Sequence, residues 1–221
     1  MKIKGLVKKI YFAVRKIRHK ILKGGVMRPL ILHDFYQRNS ERKVHLGCGE
    51  RILPGWLNAD IYNGDLDMDI TKRLPFKDSS IDYVYSHHVI EHIELEQFVA
   101  FSKELQRICR AGAHIRLVTP DLKKMAEIYA HPEHNSDIID HYCRETRYKS
   151  PAEFFNMELR QKGEHKYIYD FDLLKLILEE AGFGDILQSK YGESSVPAFH
   201  GIDLHGYRII DKISLIIEAR K

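Results

Sequence analysis

The chain has 221 residues, 44% of them hydrophobic and 30% charged, which is enough apolar content to bury a core and argues against a disordered polypeptide. The formal net charge of +4 is unevenly placed: residues 1–23 hold nine Lys and Arg and no acid, so the remainder is about five charges negative. Three cysteines without CxxC spacing argue against a disulfide framework or a zinc site and fit a reducing cytoplasm, and no apolar run approaches a membrane span.

Residues 2–23 predict an amphipathic helix. Ile3, Val7, Ile10, Val14, Ile17 and Ile21 form one stripe opposite the basic side chains, and Gly24-Gly25 ends it. Its apolar stretch is too short for a secretion signal. Such an arm suits an anionic membrane surface, or packing on its own domain or a second copy in a homodimer. A basic arm on nucleic acid is the third reading, weakened by its few aromatics. The division is therefore an arm over 1–25 and one domain over 26–221.

Residues 26–42 read as a connection. A strand then runs over Lys43–Leu46 into the turn Gly47-Cys48-Gly49, and a second over Trp56–Ile61 carries Asp60 near its end. Leu66–Ile70 reads as a short third strand, and 72–80 as a turn-rich loop. Ile81–Ser86 is the next strand and has the right length to be central. A helix over Leu95–Arg110 follows, with Gly112 as its stop. His114–Thr119 is a buried-type strand stopped by Pro120-Asp121, and Leu122–Ala130 a helix. The polar stretch 131–168 shows no clear period. Asp170–Ala181 is an amphipathic helix ended by Gly182, and Phe183–Lys190 and Lys212–Arg220 close the chain as strands. Alternating strands and helices predict a mostly parallel α/β sheet with its ligand at the carboxyl ends of the strands. The last two strands, with no helix between them, predict an antiparallel edge.

The stretch from Val44 to Asp60 fits a nucleoside: the glycines let backbone approach a ligand, and a carboxylate at a strand tip can accept both ribose hydroxyls. A dinucleotide fits poorly. Ile52 stands where the third glycine is needed, Glu50 opposes phosphate, and thirteen residues from Gly47 to Asp60 leave little room for a helix. A nucleoside without phosphates and with a positive centre, S-adenosylmethionine, suits the loop better.

The phrases HLGCG, LPGWLNADI, DMDI, LPFKDSSIDYVYSHHVIEH, LQRICRAGAHIRLVTPDL and YDFDLLKLILEEAGF together resemble a class I S-adenosylmethionine-dependent methyltransferase. They are most similar to the small "type 11" enzymes found with bacterial surface-glycan genes, over roughly residues 43–220. The resemblance implies a Rossmann-like, mostly parallel seven-stranded sheet with an antiparallel edge strand and helices on both faces. It implies that Gly47, Cys48 and Gly49 line the methionine part of the cofactor, that Asp60 accepts the ribose hydroxyls and that Ile61 packs on adenine. Asp69 and Ile70 would recognise adenine, Ser86 and His87 would face the sulfonium, and 131–168 would be an acceptor-side insertion. Two features depart from the family pattern: the missing third glycine, and Arg110-Ala111-Gly112-Ala113 at a turn that usually reads Lys-Pro-Gly-Gly.

Methyl transfer to a hydroxyl, or with less support to an amine, of a small molecule or glycan intermediate requires a base. His87 and His88 at a central strand tip, and His165 ahead of the last helix, are the candidates. His88 and His92 also read as plain buried hydrogen-bonded groups, and the resemblance implies that the phrase holding Glu91 and His92 shapes the strand-to-helix turn. No metal site is expected; His200, Asp203 and His205 match no specific ligand spacing and read as a solvated surface turn. The tyrosines at 142, 148, 167 and 169 offer the only aromatic platform for a sugar. Competing readings are a nucleic-acid methyltransferase and a non-catalytic S-adenosylmethionine-binding scaffold at a membrane.

Overall fold

A computed structural model describes residues 25–144, 149–203 and 212–221. The basic segment 2–23 lies outside the described residues.

The first element is a helix, α1 (Arg28–Arg38), where the sequence reads as a connection. Pro29 sits in its first turn, where a missing N–H costs nothing. Ile31, Leu32, Phe35 and Tyr36 pack on the main core. Their pairing at positions one and four apart is a helical stripe that the short, polar-flanked segment hides.

The strands β1 (Lys43–Leu46), β2 (Leu57–Asp60), β3 (Leu66–Asp67), β4 (Ile81–His87), β5 (Cys109–Pro120), β6 (Gly184–Ser189) and β7 (Ser214–Arg220) form one seven-stranded sheet. Their order is β3-β2-β1-β4-β5-β7-β6, which puts β4 in the centre. β1 through β5 are mutually parallel in their pairings, while β7 runs antiparallel to both β5 and β6. The antiparallel pair closes one edge as predicted, and the reversed strand is the inner of the two. Val44, Leu46, Ile81, Val84, Ile115 and Leu117 are fully buried, as strands covered on both faces require.

β3 is shorter than its apolar run predicts. The Asp69 carboxylate accepts the Thr71 N–H at 2.9 Å and the Thr71 hydroxyl at 2.7 Å, and this local turn competes with continued pairing.

The helix α2 (Leu95–Ile108) opens on a capping box between Glu94 and Gln97 and buries Phe98, Phe101, Leu105 and Ile108. It ends two residues before its predicted limit, and Gly112 is not its stop. The chain passes straight into β5 at Cys109, and Gly112, at φ +80°, sits in an irregular start of that strand, donating its N–H to the Lys221 carbonyl at 2.7 Å. Ser79 and Ser80 N–H groups instead satisfy the last helical carbonyls, of Arg107 and Ile108.

The helix α3 (Leu122–Ala130) is capped by Asp121, whose carboxylate accepts from Lys123 and Lys124 N–H. The stretch 131–168, featureless in sequence, holds two short helices, α4 (Ser136–Tyr142) and α5 (Pro151–Arg160). With α3 they enclose a second core of Met125, Ile128, Ile138, Ile139, Cys143, Phe154, Ile168 and Ile213. Ser150, Pro151 and Glu153 mark the start of α5, and the Ser150 hydroxyl accepts the Glu153 N–H at 3.2 Å. That signal was present in the sequence. The helix α6 (Phe171–Glu180) is capped by Asp170 and followed by Gly182 at φ +96°.

His45 on β1 is buried, with Nδ1 3.2 Å from the Asn58 side-chain oxygen. Burial drives its pKa from 6.5 down to about 4. Between those values the unfolded chain binds a proton that the folded one refuses, so stability falls as pH drops through this window. The expected loss from this group between pH 7.5 and pH 5 is roughly 2 kcal/mol. Urea unfolding at both pH values checks it: His45→Gln should show a smaller acid loss than the parent by that amount.

Candidate active site

A cleft of about 610 Å³ opens at the carboxyl ends of β1, β2 and β4. One end is built by the glycine turn. Gly47 and Cys48 N–H groups donate to the Ala59 carbonyl at 2.8 and 3.1 Å, tying the end of β1 to β2. Gly47 has φ +68°, and an added Cβ would lie 2.2 Å from Val89 Cγ2, so no larger residue fits. Gly49 has φ +54° and nothing within 4 Å of an added Cβ, so it leaves open space on the cleft side.

Asp60 stands at the tip of β2 and lines the cleft. Its carboxylate accepts the Gly49 N–H at 3.1 Å and the Tyr62 N–H at 2.8 Å. Each oxygen keeps lone-pair capacity for a ligand hydroxyl. Beside it Ile61 is an apolar side chain left 45% exposed in the cleft, a surface suited to a flat base. Met68, Asp69, Ile70 and Thr71 continue that wall. Open backbone at Gly49, a carboxylate at the strand tip and an exposed apolar side chain next to it fit S-adenosylmethionine as the bound nucleoside.

Three residues assigned to the cofactor by resemblance do not line this cleft. Cys48 is buried and packs close to Gly64. Ser86 is buried, its hydroxyl without a partner. His87 is half-buried, its ring against those of Tyr85 and His88.

His88 does line the cleft. It adopts a left-handed backbone, φ +54°, which for a non-glycine residue costs on the order of 1–3 kcal/mol and must be held by its surroundings. What holds it is Nδ1 at 2.8 Å from Glu91 Oε1, Nε2 at 3.1 Å from the Ser214 hydroxyl, and its N–H on the Val118 carbonyl at 2.8 Å.

Glu91 is fully buried and also accepts from the Thr119 hydroxyl at 3.2 Å. Burial alone would raise its pKa; the charge and hydrogen bond of His88 outweigh that and hold the carboxyl below the usual range. The Glu91 carbonyl accepts the N–H groups of Lys166 and Tyr167 at 2.7 and 3.3 Å, which draws the 163–167 segment onto the cleft.

That segment brings His165 beside His92, with ring centroids 5.0 Å apart. His165 is buried and its pKa is held below the ordinary value by that burial. Glu158 is buried nearby, its carboxyl pushed up to about 7 by desolvation. Thus His88, of the three sequence candidates, lines the cleft; His165 lies buried behind it against His92, and His87 touches the His88 ring without lining the cleft. Glu91 and His92 were read in sequence as turn-shaping. The only signal for them was the phrase His88-Val89-Ile90-Glu91-His92, whose approach to His165 depends on the tertiary fold.

Other expectations are corrected. Tyr169 is buried in the core and offers no sugar platform; Tyr148 and the Tyr142 side chain lie outside the described residues. Asp203 is the buried counter-ion of Arg116, while His205 lies outside the described residues.

A family model described as "Methyltransferase domain" matches residues 58–117, from the tip of β2 into β5. No curated protein matches the chain. Among solved structures, a SAM-dependent methyltransferase from Archaeoglobus fulgidus is 16% identical, covering 91% of this chain and 97% of its own, at a TM-score of 0.48. One from Mesorhizobium loti is 15% identical, with 90% and 99% covered and a TM-score of 0.48. One from Methanosarcina mazei is 15% identical, with 86% and 96% covered and a TM-score of 0.46. At these values the likenesses say nothing of an acceptor. The matched segment carries the acid-tipped strand and the turn from His88 to His92 beside a cleft shaped for a nucleoside, and over these residues the chain is similar to a methyltransferase domain.

Proposed function

We propose that this chain is an S-adenosylmethionine-dependent methyltransferase that methylates a hydroxyl of a small polar molecule or glycan intermediate by in-line displacement. The observation that carries the reading is the pair His88 and His92 lining the cleft that holds Asp60, backed by the buried Glu91 and His165. Bound S-adenosylmethionine supplies a methyl on a sulfonium: as the O–CH₃ bond forms, the S–CH₃ bond breaks and its electron pair stays on sulfur.

Gly47, Gly49, Asp60 and Ile61 would hold the nucleoside, and positioning is most of the work where the leaving group is already activated. His88 receives the acceptor proton. Glu91 fixes its ring through Nδ1, and the Nε2 atom that now meets Ser214 takes the proton. Three carboxylates, Asp60, Asp69 and Glu164, face the cleft against one lysine, Lys166, which favours a neutral acceptor over a polyanion. No helix among the described residues is long and apolar enough to cross a membrane. The basic stripe of residues 2–23 supports an acceptor held at an anionic membrane surface.

The test uses methyl-labelled cofactor and a panel of sugar and amine acceptors, with the methylated atom read by mass spectrometry. An O-methyl product is expected. His88→Asn, which tolerates the left-handed backbone, should lower kcat on the order of 100-fold while leaving cofactor affinity intact. A solely N-methylated product would overturn the hydroxyl assignment, and an unchanged kcat would remove His88 as the base.

A further inference from the structure

We infer that Glu91, His92 and His165 form a divalent-cation site on the acceptor side of the cleft, fit for a first-row transition ion such as Zn²⁺. This deepens the hydroxyl-methyltransfer reading and rests on it for its role, though not for its existence. One ligand atom from each residue lies within 4.8 Å of the other two. A tetrahedral ion bonded at about 2.1 Å would space its ligands about 3.4 Å apart, so a small inward movement completes the set.

The hydrogen bonds pre-set both histidines as ligands. His92 Nδ1 lies 3.2 Å from the Glu164 carbonyl and His165 Nδ1 lies 2.5 Å from the Glu158 carbonyl. A carbonyl only accepts, so each Nδ1 carries the proton and each Nε2 presents a lone pair. Metal-binding histidines are commonly held by such a carbonyl on the other nitrogen, which sets the tautomer and the ring orientation.

The carboxylate is equally committed. Glu91 is fully buried, its ion-pair partner is His88, and no lysine or arginine among the described residues pairs with it. A buried carboxylate grouped with two further imidazoles and ion-paired only to a titratable histidine gains a permanent countercharge from a divalent ion. His88 and Thr119, on the two oxygens of Glu91, then act as outer supports that orient it.

Two imidazoles and one carboxylate leave at least one position open on the ion. His92 is half-exposed on the cleft, so the open position faces the acceptor. An acceptor hydroxyl bound there through oxygen loses its proton more readily, the proton passes to His88, and the metal-held oxygen is the nucleophile.

Cobalt(II) titrated into the metal-stripped full chain, followed by visible absorption, tests the site. One ion per chain should bind, with the spectrum of a four- or five-coordinate nitrogen and oxygen site, and Zn²⁺ should displace it. His92→Gln should weaken cobalt binding by at least about 100-fold, more than loss of an outer support does. The double variant His131→Gln/His134→Gln, on an exposed turn that also carries Glu133, should leave the titration unchanged. Absence of the cobalt spectrum, indifference to His92→Gln, or loss of the signal in the double variant would each overturn the site. Separate calorimetry with S-adenosylmethionine keeps the two readings apart. Cofactor binding without cobalt binding overturns the metal site alone, and cobalt binding without cofactor binding supports the site and overturns its role in methyl transfer.

Discussion

Replacing Asp60 by Ala is expected to weaken S-adenosylmethionine binding by at least about 100-fold while the fold stays intact. The estimate follows from two hydrogen bonds to a charged acceptor, each worth about 1.5 kcal/mol or more, where every 1.4 kcal/mol is tenfold in affinity. Asp60 also shapes the empty loop, since its oxygens accept from Gly49 and Tyr62. Asp60→Asn separates the two effects. It keeps an acceptor oxygen for the loop and loses the charge, so its affinity should fall between those of the parent and of Asp60→Ala. Calorimetric titration with S-adenosylmethionine and, separately, with NAD reads the outcome. Glu50 and Ile52 beside the glycine turn predict no NAD binding in any of the three proteins. Equal affinity in all three for S-adenosylmethionine would mean that the nucleoside sits elsewhere.

Arg116→Met is expected to destabilise the protein by about 3–5 kcal/mol, the usual consequence of stranding a buried countercharge. Arg116 lies on β5 and is fully buried. Its guanidinium meets Asp203 and Glu218, and its remaining N–H groups donate to the carbonyls of Glu193 and Lys190, each at 3.1 Å. Asp203 further accepts from the Tyr85 hydroxyl and the Gly192 N–H, both at 3.0 Å, and Ser194 donates to Glu218. Without the cation two carboxylates remain buried with only neutral donors. Thermal unfolding should show a fall of about 10 °C or more. A triple variant, Arg116→Met with Asp203→Leu and Glu218→Met, should recover most of that loss, because replacing a whole buried ion cluster by apolar groups is often close to neutral. If the triple variant is no more stable than the single one, the cost lies in shape rather than in stranded charge.

Several features were legible in the chain itself because they depend on neighbours in sequence. The apolar runs of β1, β4 and β5 and the stripe of α2 mark buried elements through period alone. Asp121 and Asp170 announce the helices they cap, and Gly47, Gly49 and Asp60 announce an open turn with an acid beside it because both lie in a single strand–loop–strand unit. Signals of the same kind for α1 and α5 were present but diluted, since short helices with polar flanks carry few apolar positions from which to read a period.

What only the tertiary structure decided is the histidine side of the cleft. His88, Glu91 and His92 come from one turn, and His165 comes from a segment whose approach depends on two N–H groups reaching the Glu91 carbonyl. Nothing in local composition predicts that meeting, nor that Asp203, which reads in sequence as a surface acid, folds inward to face Arg116. Local pattern determines which backbone forms and which face is apolar; distant hydrogen bonds and buried charges determine which functional groups end up within reach of one another.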